Sequence, residues 1–166
     1  LQALNVTLSP HSTVFISTGK PMTESPEDLT QSVESHDGIS TIRGSGTTRG
    51  WNGIHYKLGL SGKNVGAKEL SINVATIPPG GIAGAHIHVD FEVMLYIVEG
   101  RVRHEFGPGL KQVIENQAGD FIFIEPGVPH EVFNMSDTEP VVAFVARSSA
   151  ERLRGEVAFP VEVDNG

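Results

Sequence analysis

The sequence predicts an all-β fold, a sandwich or barrel of short strands with an irregular N-terminal extension and little helix. Nineteen glycines and ten prolines divide the 166 residues into many short segments, which suits turns between strands better than long helices. Several of these segments alternate apolar and polar residues with a period of two, as a half-buried strand does. About eight to ten such segments at short spacing are what two packed sheets or a closed barrel require. A chain of this length is expected to form one domain with a sizeable core.

Taken in order, residues 1–50 read as an arm or surface excursion packing on the barrel or on a partner subunit, and residues 51–166 as the domain proper. Within the arm, residues 12–17 are rich in β-branched and aromatic types and suggest a strand. Pro26-Glu27-Asp28 suits the first turn of a short helix reaching Gln31. A lid over a barrel mouth is the functional alternative for this long stretch. From Gly50 onward the pattern becomes regular. A strand is expected through residues 54–58, then a turn at Ser61-Gly62-Lys63-Asn64.

Residues 69–77 alternate almost perfectly and end at Pro78-Pro79-Gly80-Gly81. After Gly100, residues 101–106 alternate again and stop at Gly107-Pro108-Gly109, and residues 111–115 return. Phe121-Ile122-Phe123-Ile124 is a continuous apolar run, expected to be buried on both faces. Residues 139–147 supply one more strand. Ser148, three residues before Glu151, suggests a capping box opening a helical turn over residues 148–154.

Composition removes several function classes. Twelve basic against twenty acidic side chains give a net charge of −8, which argues against nucleic acid or an anionic membrane as partner. With no cysteine, disulfides, thiolate nucleophiles and thiolate metal sites are all impossible. No stretch approaches the roughly 18 apolar residues that span a bilayer, and the N-terminus lacks a basic-then-apolar signal pattern. Cytoplasmic location is the default expectation.

The chemistry concentrates in two stretches. His86 and His88, separated by one residue, project to the same side of an extended strand and can grip one metal ion. Glu92 could close on that ion only if the chain bends after His88, because four extended residues span roughly 13 Å and metal–oxygen bonds are roughly 2 Å. The second stretch, residues 119–134, reads as a strand, a Pro/Gly turn, and a strand opening with His130.

Together these stretches resemble the paired motifs of the cupin superfamily, G(x)5HxH(x)3-4E(x)6G and G(x)5PxG(x)2H(x)3N. Gly80, His86, His88, Glu92 and Gly100 fall on the first, and Gly119, Gly127, His130 and Asn134 on the second. Two departures stand out. Seven residues, not six, separate Glu92 from Gly100, so alignment on Gly100 puts Val93 in the usual glutamate slot. Glu125 replaces the first proline of the second motif, with Pro126 beside it able to stiffen the same turn.

The resemblance implies a double-stranded β-helix, or jelly-roll barrel, and a single cupin domain, since each motif occurs once. It implies one divalent transition metal ion per chain (Fe, Mn, Ni, Zn or Cu) held by His86, His88, Glu92 and His130, with His104 as the rival fourth ligand. His11, His36 and His55 lack partner spacing and are expected to be structural. Asn134 is expected to serve the fold through side-chain to backbone hydrogen bonds. Glu92 and Tyr96 are the candidate catalytic groups, Tyr96 for a hydroxyl able to orient a polar ligand.

A homodimer is implied as well, through an N-terminal strand at residues 12–17 exchanged or added at a sheet edge. The activity implied is that of a metal-dependent small-molecule enzyme, a dioxygenase-type oxidoreductase acting on an oxygen-chelating metabolite. The alternatives are a metal-dependent isomerase, lyase, decarboxylase or polyketide cyclase, or a binding module for metal or a small ligand without chemistry.

Overall fold

The structure, a computed structural model, describes residues 33–43, 48–150 and 156–158. His11, the strand expected at residues 12–17, the helical turn from Pro26 and the glutamate of the capping box, Glu151, lie outside those residues.

Two Asx-Gly dipeptides start the fold. Asp37-Gly38 joins β1 (Val33–His36) to β2 (Ile39–Ile42), and Asn52-Gly53 joins β3 (Thr48–Trp51) to β4 (Ile54–Leu58). Both pairs have positive φ, 47° and 86° in the first, 49° and 84° in the second, the backbone that a two-residue hairpin turn demands. A side chain on Gly53 would run into the carbonyl oxygen of Ile82, so the second turn is both left-handed and closely packed. The first hairpin stands alone among the described residues, and the second enters the barrel.

The chain continues through a single helical turn, α1 (Gly62–Val65), then β5 (Ser71–Ile77), β6 (Ile82–His88), β7 (Val93–Glu99) and β8 (Arg101–Phe106). It ends with β9 (Gln112–Gln117), β10 (Phe121–Ile124), β11 (His130–Asn134), β12 (Val141–Arg147) and β13 (Glu156–Ala158). The turn expected at residues 61–64 is tightened into α1 because the Ser61 side chain accepts the Lys63 N–H at 3.3 Å, and the Asn64 side chain accepts the Ser61 N–H at 2.8 Å.

Two antiparallel sheets form the expected jelly roll. One has the order β10-β7-β12-β5-β4-β3 and the other β13-β6-β11-β8-β9. Period-two alternation carries β4, β5 and β12 across the sandwich, and their inward residues meet those of β7, β8 and β11 in one apolar core. No helix among the described residues is long and apolar enough to cross a membrane.

The run at 121–124 departs from expectation. Only Ile124 is buried, while Phe121 is 82% and Phe123 51% exposed. β10 is an edge strand of an antiparallel sheet, so one of its faces meets the core and the other meets solvent. Across the outer face Phe121 lies opposite Tyr96, and Tyr96 opposite Phe144. Asn134 acts as the sequence suggests. Its amide nitrogen donates to the carbonyls of Ile77, Pro78 and Glu139 at 3.2, 2.9 and 2.8 Å, and its oxygen accepts the Ser136 N–H at 2.9 Å. These bonds tie the end of β5 and the loop before β12 to β11, the strand that carries His130.

Candidate metal centre

β6 and β11 are neighbours in the five-stranded sheet, and their register sets His130 directly against His86. His88 lies two residues along the same face of β6. Ring centroids are 4.2 Å apart for His86–His130, 4.8 Å for His88–His130 and 5.2 Å for His86–His88. One ligating atom from each ring lies within 4.8 Å of the others, close to the roughly 4 Å that two metal–nitrogen bonds span end to end. These three histidines form a site of metal-binding character.

Backbone carbonyls fix which nitrogens are available. The Nδ1–H of His86 donates to Gly84 O at 2.8 Å, and that of His130 to Val128 O at 2.9 Å. Only a protonated nitrogen can donate to a carbonyl, so in each neutral ring Nε2 carries the free lone pair. Burial is the largest cause lowering the pKa of all three, aided by Arg147 and His104 at His86, by His130, His86 and Arg147 at His88, and by His86 at His130: to about 4 for His86 and His130 and about 2 for His88. Near pH 7 the cluster is uncharged, the state in which imidazole binds metal.

The Asn52-Gly53 turn reaches this site. Asn52 Nδ2 donates to Gly84 O at 2.6 Å, the same oxygen that receives His86 Nδ1–H, and Gly84 N–H donates back to Asn52 O at 3.0 Å. Trp51 presses edge-on against the His86 ring at 5.3 Å. The hairpin tip therefore holds His86 through a shared carbonyl and an aromatic wall, an outer shell of the kind that sets ligand orientation. Asn52→Ala is expected to weaken metal binding roughly tenfold, at the low end of such effects, without abolishing it. Competitive titration against a chelator of known affinity measures this, and an unchanged affinity would mean that the turn does not position the ring.

The other expected site residues are placed differently. Glu92 is exposed after the β6–β7 bend, where Asp90 takes φ 63°. Its N–H donates to Ser148 Oγ at 2.9 Å, and its carbonyl accepts the Ser148 N–H at 3.1 Å. Val93, one place later, is 2% exposed and lines the cavity beside the histidines. The residue that falls in the glutamate slot when the motif is aligned on Gly100 is thus the one that faces inward. Tyr96 stands on the outer face of its sheet, its ring 4.7 Å from Phe121. His104 is buried on β8 and lines the same cavity as the cluster, with a pKa lowered to about 4, first by burial and then by His130. His36 and His55 are exposed.

The cavity holds about 60 Å³ and is walled mainly by core apolar residues. Two polar residues that the motifs do not mark also line it, Tyr56 and Arg147. The signal for both was parity: Tyr56 falls between Ile54 and Leu58, and Arg147 follows Val141, Ala143 and Val145 on the inward side of β12.

Residues 73–147 match the family model described as Cupin domain. Over 70 residues the chain is 36% identical to quercetin 2,3-dioxygenase of Escherichia coli K12, covering 41% of this chain and 29% of that protein. Among solved structures, oxalate decarboxylase of Lactobacillus farciminis in complex with formate superimposes with a TM-score of 0.59 at 20% identity, over 68% of this chain and 33% of that one. A variant of the Bacillus subtilis oxalate decarboxylase gives 0.59 and 20% over 68% of this chain and 30% of its own. The chain spans about a third or less of the length of these relatives. Matched segment, barrel topology and structural neighbours agree that residues 73–147 form a cupin domain.

Proposed function

We propose that the protein is a metal-dependent enzyme of small molecules, first of all an oxygenase-type catalyst for a metabolite that chelates through two oxygens. The carrying observation is that three buried, neutral imidazoles converge beside a cavity and, among the described residues, no carboxylate joins their group. Such a set leaves coordination positions open, unlike a closed structural site. A bound divalent ion would supply Lewis acidity and, where redox-active, electron exchange with dioxygen. The name of the Escherichia coli relative favours dioxygen chemistry.

The chain's own residues supply the rest. His86 and His130 are held by carbonyl bonds, His104 is a further imidazole lining the cavity, and Val93, Ile97 and Ile124 exclude water. Glu92, expected as the fourth ligand, would reach the ion only if the β6–β7 bend rearranged. Oxygen uptake by the iron- or manganese-loaded protein, measured across diols, β-diketones and hydroxy acids, tests the reading. Uptake with at least one class is expected. Substrate loss without oxygen uptake would transfer the assignment to isomerase, lyase, decarboxylase or cyclase chemistry, and no turnover at all would leave a binding module.

The expected homodimer has a suitable face in Phe121, Phe123, Met94, Tyr96 and Phe144, exposed side by side on one sheet. These five side chains carry no charge in a chain of net charge −8, so a second copy can approach them without repulsion across the contact. Wild-type chain is expected to sediment as a dimer and Phe121→Glu as a monomer. A dimer unaffected by the substitution would place the contact elsewhere.

A further inference from the structure

We infer that the cavity beside the histidine cluster is a carboxylate site, in which Arg147 receives the anionic end of a small ligand and the histidine-bound ion its other oxygens. The second half rests on the metal reading above; the first half stands on Arg147 alone.

Arg147 closes the inward row of β12 and is only 2% exposed. Its strand is central, paired with Ser71 of β5 on one side and Val93 of β7 on the other, so its backbone has little freedom. The guanidinium carbon sits 5.3 Å from the centre of the Tyr56 ring, a cation–π contact that helps fix the side chain. It is also close enough to His86 and His88 for its charge to contribute to their lowered pKa values.

The lining decides the sign of the ligand. Arg147, Tyr56 and four histidines are its polar members, and among the described residues that line it none is an aspartate or glutamate. Arg147 is the one permanently charged side chain among the described residues that line it, and a bound divalent ion would add positive charge. A guanidinium offers five N–H donors in a planar fork that matches a carboxylate, so contacts within the fold and a ligand contact are compatible.

The volume decides the size. A water molecule occupies roughly 10–15 Å³ on this measure, so a cavity of about 60 Å³ takes a ligand of roughly four to six heavy atoms. A two- or three-carbon hydroxy or oxo acid fits. A three-ring aromatic does not fit within these walls.

Glycolate is a suitable probe, with neutral glycolamide as its control. Calorimetry on the metal-free full-length chain is expected to show glycolate binding at least about tenfold tighter than glycolamide. Arg147→Gln should weaken glycolate binding roughly 10- to 100-fold, the range for charge-assisted hydrogen bonds, and Arg147→Lys by an intermediate factor because charge survives and the fork does not. Manganese stoichiometry, measured separately, should be the same in wild type and both variants.

If Arg147→Gln fails to fold, the glycolate-to-glycolamide ratio on wild type still decides. A ratio near one, no glycolate binding to wild type, or equal glycolate affinity in folded wild type and Arg147→Gln would each overturn the carboxylate site. Failure of wild type to hold manganese would overturn the metal reading, and the metal-free ratio would then decide the role of Arg147 by itself.

Discussion

His130→Ala is expected to lose the metal almost completely, with affinity falling by more than about 100-fold, since outer-shell changes alone cost 10- to 100-fold. The site has three donors within reach of one another, and two imidazoles on one strand cannot hold an ion as three from two strands do. Elemental analysis after gel filtration should fall from about one ion per chain toward zero. The barrel should survive, because His130 opens β11 at the cavity while the Asn134 bonds at the other end of the strand remain. Two companion variants make the result specific. Glu92→Ala should keep full metal, its backbone being tied to Ser148 and its side chain in solvent. His104→Ala should weaken binding partly if its ring completes the set. Metal loss in Glu92→Ala as severe as in His130→Ala would mean that the β6–β7 bend closes on the ion, and the three-histidine site would have to be abandoned.

Much of this site was legible because strand parity and motif spacing are local. His86-x-His88 and the turn before His130 need only extended backbone to face one way, and the pairing of β6 with β11 brings them together. Glu92 was the ambiguous position for an equally local reason. The extra residue before Gly100 puts Val93 on the inward face of β7, and spacing alone could not say whether the bend would absorb the shift. Asp37-Gly38 and Asn52-Gly53 are strong hairpin signals, but the strands that enter them, β1 and β3, are only four residues each, too short to declare a period, which masks the hairpins in the sequence.

The exposure of Phe121 and Phe123 was not legible, since an apolar run reads the same at a sheet's centre and at its edge. Sheet order is a property of the whole chain, and only β10's place at the end of β10-β7-β12-β5-β4-β3 settles it. Arg147 lies between these cases. Its inward parity was visible, but a charged residue at a strand end is ordinarily assigned to solvent, and only the closed barrel shows it buried.

Acid should unfold the metal-free protein well before it protonates the buried ring cluster in place. Each of His86, His104 and His130 has its folded pKa lowered from 6.5 to about 4, and His88 to about 2, with burial the leading cause in every case. The unfolded chain therefore takes up protons that the folded chain refuses. Their stabilising effect is fully present above pH 6.5 and is lost progressively as pH falls toward 4. At about one pH unit below the ordinary histidine pKa each ring costs about 1.4 kcal/mol, so four together cost about 6 kcal/mol, as much as the whole stability of many domains. The midpoint should fall between about pH 6 and 5. Trp51, the chain's single tryptophan, reports it by fluorescence because its ring abuts His86. Saturating manganese should move the midpoint to lower pH, since an ion that binds only the folded, neutral cluster adds its binding free energy to folding. Stability that stays flat from about pH 7 to about pH 5 without metal would mean that the imidazoles are hydrated in the folded chain, and the dry three-histidine centre would have to be given up.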